Sequence, residues 1–288
     1  MKHDILKNKL LKRDSYRRFA YIEACLYWGE GITAGQLGKT FGIARQNAQA
    51  SIEAYRQQHP DSMVYNPSTK RHEIASGFQP HYISQDPLRY LDYLRGNSLT
   101  NHFWEDEEWG HLTVTDVDNL FKPHLEGAII SRVVTAIREH KTLEIYYHAK
   151  LGGFESLTIS PNQLVYASGR YHARAYCHER NRFIDLVLSR ILEAEAATED
   201  WVSSEEDAEW NTVEALHFIP NPALPENLKR TLLLDHRLEQ GVYTLTKVRV
   251  ALRGYALREM ERVDWKHKIP LWIRVENPTS AANPDNKR

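Results

Sequence analysis

The sequence predicts an α+β chain of several domains, and three observations carry that prediction. Residues 14–76 show helical spacing of apolar side chains and end in a short hairpin signal. Residues 142–191 break into five short strands joined by tight turns, and residues 196–276 mix strand and helix. An irregular stretch over 77–124, with Pro80, Pro87 and Pro123, separates the first block from the second, and 288 residues leave room for two or three domains.

Composition bounds the class. With 42% hydrophobic and 26% charged residues the chain can build cores and stay in water. No apolar run approaches the roughly 20 residues that span a bilayer, so no membrane partner is expected. The opening MKHDILKNKLLKRDSYRR is basic but lacks an apolar segment, so it does not read as a secretory signal. Cys25 and Cys177 lie far apart in hydrophobic contexts and read as free thiols of a reducing, cytoplasmic compartment. The formal net charge of −1 hides an asymmetry. Residues 1–80 hold 12 Lys and Arg against 7 Asp and Glu, whereas residues 81–130 hold 3 against 9.

The first elements are helical. In 17–28 (RRFAYIEACLYW) Phe19, Ile22 and Leu26 share one face; Gly29 and Gly31 end the helix, and Thr33 suits the N-cap of the next, AGQLGKTF. Gly42 permits a tight turn into a third helix, ARQNAQASIEAYRQQH, whose Ala48, Ile52 and Tyr55 point inward. Its other face presents Arg45, Gln46, Asn47, Gln49 and Arg56. A short helix, a Gly turn and a longer helix with a polar start describe a helix-turn-helix. Arg pairs bidentately with guanine and Asn or Gln with adenine, so this start carries a base-reading vocabulary. MVYNPSTKRHEI follows as two strands around Asn66–Pro67–Ser68–Thr69, a wing with Lys70 and Arg71 at its tip for phosphates. Thr33, at the start of the second helix, is counted with the DNA-contacting set. Against this, Ala44 stands where Ser or Thr would cap the third helix. The plainer alternative is a three-helix packing module with a solvated polar face.

PLRYLDYLR (87–95) reads as a short helix before the acidic tract WEDEEWG, and 126–139 as an amphipathic helix through Ile129, Ile130, Val133, Val134 and Ile137. The strands are TLEIYYHA, FESLTISP, QLVYAS, RYHARAYC and FIDLVLSRI, a small, strongly bent barrel or half-open sheet. In RYHARAYC, parity places Tyr171, Ala173 and Ala175 on one face and His172, Arg174 and Tyr176 on the other. With Arg182 and Arg190 nearby, an anion or phosphate site is sensible chemistry. Surface arginines paired with Glu179, Asp185 or Glu193 explain the same residues equally well. Beyond 196 come the strand EALHFI, the helix LPENLKRTLLLDHRL, the strand GVYTLTKVRVAL, the helix YALREMERV and the closing strand IPLWIRV. The tail NPTSAANPDNKR, 277–288, reads as disordered.

SGRYHARAYCHERNRFIDLVLSRI, preceded by IYYHA and ISP, resembles the WYL domain of bacterial transcription regulators. YNPSTKRHEI ahead of FQP resembles the winged helix-turn-helix of the same regulators, and WNTVEALHFIPNPALPENLKRTLLLDHRL their C-terminal extension. The likeness runs from about residue 15 to 270 and is to the BrxR/CapW type, repressors of phage-defence operons such as BREX and CBASS. It implies a winged helix-turn-helix over 1–80, an acidic helical linker over 81–124, an Sm-like or SH3-like WYL barrel over 125–195 and a C-terminal dimerisation extension over 196–276. It implies a ligand pocket of Tyr147, His172, Arg174, Arg182, Ser189 and Arg190 that senses a nucleotide or nucleic acid. The sequence departs from the pattern in its namesake tripeptide, here Tyr171–His172–Ala173, and in Leu157 and Thr158, where relatives often carry arginine.

The function this implies is a homodimeric, sequence-specific repressor reading double-stranded DNA at an inverted repeat, as two-fold symmetry requires. A ligand-dependent activator of the same architecture is the alternative, and a C-terminal lid without a partner is the alternative to the dimer. The 14 histidines are scattered, and HExxH, P-loop, CxxC and GxSxG motifs are absent, so no catalytic residue, metal or cofactor is assigned and an enzyme acting on nucleotides is disfavoured.

Overall fold

The computed structural model describes residues 2–29, 31–95, 121–238 and 241–276, with 2–13 and 93 as backbone only. The chain divides into two compact units, residues 1–201 and 202–288. The acidic tract 104–110 and the tail 277–288 lie outside the described residues. Among those described, no helix is long and apolar enough to cross a membrane.

The head is built from α1 (Lys2–Trp28), α2 (Ala34–Phe41), α3 (Arg45–Gln58) and the hairpin β1 (Met63–Asn66) and β2 (Arg71–Ile74). α1 starts far earlier than the apolar spacing indicated. Phe19, Ile22 and Leu26 bury against Leu37, Ala48, Ile52, Tyr55 and Met63 to make one core. Ile32 exchanges both backbone hydrogen bonds with His72, at 2.8 and 3.0 Å, and so lays the α1–α2 loop along the wing. Gly31 makes that approach feasible: its φ is +87°, and a Cβ there would lie 2.1 Å from the His72 carbonyl oxygen.

The centre of the first unit is a five-stranded antiparallel sheet of β3 (Leu143–Ala149), β4 (Gly153–Ala167), β5 (Arg170–Cys177), β6 (Arg182–Val187) and β7 (Ile191–Ala196), in the order β6-β5-β4-β3-β7. Its division into strands differs from the expectation. FESLTISP and QLVYAS form one long strand, because the ladder only slips at Pro161–Gln163, where proline cannot donate. FIDLVLSRI is instead cut by a 3₁₀ turn at Leu188–Arg190. α5 (Gly127–Glu139) lays Ile129, Ile130, Val133, Val134 and Ala136 on one face of this sheet. α4 (Pro87–Leu94) joins the same core through Tyr90 and Leu91. Trp28 at the end of α1 stacks on Tyr90, ring centroids 4.9 Å apart and 8° from parallel, so the head shares a core with the sheet.

The second unit has the sheet order β10-β8-β9 from β8 (Val213–Pro220), β9 (Tyr243–Arg249) and β10 (Trp272–Val275), with α6 (Ala208–Asn211), α7 (Glu226–Asp235) and α8 (Arg253–Met260). Its core is small: Leu216, Phe218, Leu224, Leu232 and Trp272.

Candidate nucleic-acid interface and sensor face

The helix-turn-helix forms as the residues require. Thr33 Oγ1 accepts the Gln36 N–H at 3.1 Å and caps α2. Gly42, at φ +64°, ends it, and the Ile43 N–H returns to the Gly38 carbonyl at 3.0 Å. Gly38 keeps the two helices close, since a Cβ there would come 2.9 Å from the Ile43 carbonyl oxygen. α3 buries Ala48, Ile52 and Tyr55 fully, which turns Arg45, Gln46, Asn47 and Gln49 outward. All four are exposed, and their side chains take no partner among the described residues. Ala44 leaves the first N–H groups of α3 without a side-chain cap. Arg56, further along, is held by both oxygens of Glu53 at 2.9 and 3.0 Å, and that pair keeps the Glu53 carboxyl below the usual carboxylate range.

The wing turn is set by Asn66, whose Oδ1 accepts the Ser68 N–H at 2.9 Å while its Nδ2 reaches both oxygens of Glu73. Lys70 sits exposed at the tip in a left-handed conformation, φ 56°. Arg71 does not join it. It is half-buried at the start of β2 and lines a cavity against α1 and α2.

In the sheet the parity reading of β5 meets a difference. Ala173, Ala175 and Cys177 face the core, but His172 and Arg174 on the other face are buried as well, at 5% and 4% exposure. Arg174 forms an ion pair with Asp185 at 3.3 Å, the partner directly opposite it in register. Burial pushes the His172 imidazole below its usual range against the pull of Asp185, so it is neutral at pH 7. Tyr147 belongs to the core face, where its hydroxyl accepts the Val187 N–H at 3.3 Å. Arg182 is exposed and pairs in register with Cys177, which puts it on the core-facing parity and not with His172 and Arg174. Ser189 and Arg190 are half-buried in the 3₁₀ turn. The structure therefore brings His172, Arg174 and Asp185 together and distributes the other four residues elsewhere in the same sheet.

The residues that join head to sheet were not visible in the sequence. Asp92 on α4 is buried and accepts the Tyr171 hydroxyl and the Lys122 ammonium, with Arg95 3.8 Å away. Burial raises its pKa, but the Lys122 and Tyr171 hydrogen bonds outweigh that and hold it below the usual range. Arg95 in turn lies 3.9 Å over the Tyr166 ring. Arg138 on α5 donates to the Trp28 carbonyl and the Tyr90 hydroxyl.

Comparison with known proteins fits this anatomy. Residues 14–96 match the BrxR transcriptional regulator winged helix-turn-helix domain, and residues 128–196 match the WYL domain. A DNA-binding transcriptional repressor CapW of Escherichia coli (strain KTE188) is 28% identical over 263 residues, 90% of this chain and 87% of that one. The CapW repressor of Pseudomonas aeruginosa is 27% identical over 78% of this chain and 76% of its own. Among solved structures, proteasome accessory factor B/C (PafBC) of Arthrobacter aurescens aligns over 93% of this chain and 47% of that one, at 13% identity and a TM-score of 0.23. The reading of the chain as a regulator and not an enzyme stands with its CapW relatives. With a BrxR-type winged helix-turn-helix followed by a WYL domain, the chain belongs to the WYL-domain transcriptional regulators of the BrxR/CapW type.

Proposed function

We propose that the protein is a homodimeric, sequence-specific DNA-binding repressor of a phage-defence operon, and that its WYL sheet, a small barrel, receives a nucleotide or nucleic-acid ligand that alters DNA binding. The observation that carries the DNA reading is the start of α3. Arg45, Gln46, Asn47 and Gln49 stand exposed with their hydrogen-bonding groups unspent, beside a wing tipped by Lys70. The relatives' names as DNA-binding repressors support it. One short helix reads few bases, so a second copy and an inverted repeat supply the remaining affinity. The C-terminal unit suits that pairing, because α8 packs Ala256, Leu257 and Met260 on its small core yet leaves them only half-buried within the single chain. For the sensor, a phosphate is a natural competitor for Arg174: it would replace Asp185 on the guanidinium and release a carboxylate.

Fluorescence anisotropy on the DNA upstream of the protein's own operon tests the proposal. Salt-sensitive, sequence-selective binding is expected. Gln46→Ala or Asn47→Ala should weaken the specific site by about 1–3 kcal/mol, and Lys70→Ala should weaken all sequences alike. Absence of selective binding up to micromolar protein overturns the DNA reading. Arg174→Gln, folded and dimeric, should bind DNA but ignore the ligand.

A further inference from the structure

A cavity of about 660 Å³ lies within the C-terminal unit, a volume in the range of small-ligand sites. Leu232 on α7, Leu245 on β9 and Met260 on α8 give it an apolar lining. Three further lining rings meet one another. His236, just past the end of α7, lies 4.6 Å from Tyr243 on β9 and 5.4 Å from Trp272 on β10, and Tyr243 and Trp272 are 5.7 Å apart, centroid to centroid. Their planes are inclined at 38–75°, so the rings form a corner and not a stack. A fourth ring of the lining, Trp265, is 80% exposed and lies against no other ring among the described residues. The turn that carries it is tightly bonded. Asp264 Oδ1 accepts the Lys266 and His267 N–H groups at 3.0 and 2.7 Å. The Asp264 N–H reaches the Ile269 carbonyl and the Lys268 N–H the Asp264 carbonyl, both at 2.9 Å, and the Leu271 N–H returns to the Arg262 carbonyl at 3.2 Å. The backbone of this turn therefore holds a large apolar side chain in water beside an aromatic cavity, which is the kind of exposure that marks a binding site.

Charge selects the class of ligand. The charged groups among the described lining residues are Glu259, Asp264 and Arg262, two carboxylates against one guanidinium. Glu259 is exposed and takes no partner among the described residues. The faces of Trp and Tyr rings attract cations through their quadrupole, and an unpaired carboxylate beside them adds to that attraction; an anion gains from neither. We propose that this cavity binds a small organic cation with an apolar body, its charge held against Trp265, Tyr243 and Trp272 with Glu259 as the counter-ion. The site is separate from the Arg174–Asp185 face of the sheet and does not rest on the DNA reading. It shares α8 with the pairing surface proposed above, so a second copy of the chain is the competing occupant.

Isothermal titration of the full-length chain tests it with three probes built on one ring: benzyltrimethylammonium, benzyl alcohol and benzoate. The cation should bind saturably and roughly tenfold more tightly than the neutral alcohol, and benzoate more weakly still. Trp265→Ala should weaken the cation by roughly three- to tenfold, as loss of a cation–π partner requires. Glu259→Gln should weaken the cation about threefold and leave the alcohol unchanged. Both side chains are exposed, so both variants keep the core of the unit. Arg174→Gln should bind the cation like the unmutated chain. Sedimentation of the same samples reports whether they are dimeric. The proposal is overturned if the cation does not bind, if it binds no better than the alcohol or benzoate, if either Trp265→Ala or Glu259→Gln leaves its affinity unchanged, or if Arg174→Gln abolishes binding. It is also overturned if the cation binds only after dimers dissociate, because a second copy then fills the cavity. A chain that binds the cation but no specific DNA loses the repressor reading and keeps this site, so the two failures are distinct.

Discussion

Two buried carboxylates show at the scale of single residues what holds the first unit together. Glu23 on α1 is fully buried, and its two oxygens accept the N–H groups of His81, Tyr82 and Ile83 at 2.8–3.2 Å and the Tyr55 hydroxyl at 3.0 Å. Burial raises its pKa, and those donors oppose the rise. Glu23→Gln places an NH₂ group against donors that already point at it. The cost should be about 1–3 kcal/mol in urea unfolding, with faster amide exchange at residues 81–83. Asp92 has the complementary role at the sheet, where Lys122 and Tyr171 converge on it. Asp92→Ala leaves a partly buried ammonium and a buried phenol without their acceptor, and should cost about 3 kcal/mol. A loss below about 0.5 kcal/mol in either variant, the range of ordinary surface substitutions, would remove that carboxylate from the architecture.

Among elements, what was legible in the sequence was what is local. The periods that marked 87–95 and 126–139 found α4 at Pro87–Leu94 and α5 at Gly127–Glu139, because helical spacing needs only the helix itself. Parity in β5 correctly grouped His172 with Arg174, but parity says which residues share a face and not what covers it, so their burial was hidden. Asp92 and Glu23 were illegible for a related reason: their partners lie 79 and 58–60 residues away. The outward placement of Arg45, Gln46, Asn47 and Gln49 on α3 was legible because exposure there follows from the inward stripe Ala48, Ile52 and Tyr55. Two glycines of the head separate the costs of conformation and of space. Gly42 is left-handed with nothing within 4 Å of a Cβ, so Gly42→Ala should cost only about 1–2 kcal/mol. Gly31 is also left-handed, but its Cβ would strike the His72 carbonyl oxygen and Glu73, so Gly31→Ala adds to that strain the displacement of the wing. Thermal melts of the two variants should rank them Gly31 well below Gly42. Equal melts would mean that the loop yields without moving the wing.

For the whole molecule, head, linker helix and sheet act as one unit because three kinds of contact cross the seam: the Trp28–Tyr90 stack, the Asp92 cluster and Arg138. Burial of histidine in that unit sets how its stability responds to acid. Burial and the nearby His81 push His59 below its usual range; burial and Arg56 do the same to His72, and burial does it to His172 against Asp185. In an unfolded chain these imidazoles titrate near about 6.5. As pH falls through that value the unfolded chain takes up protons that the folded chain refuses, so unfolding is favoured and stability drops. The loss begins below the ordinary histidine pKa and continues down through the depressed folded values. Glu23 works in the opposite sense at lower pH, since a raised carboxylate gains its proton more readily in the fold. Melting temperature at constant ionic strength should therefore fall as pH drops from about 6.5 to 5.5, before most carboxylates titrate. His172→Asn should flatten part of that slope, because it removes the one of the three histidines that lies in the sheet. A melting temperature that holds or rises over this interval would show that these imidazoles are charged in the fold, and would remove the neutral His172 from the description of the sheet.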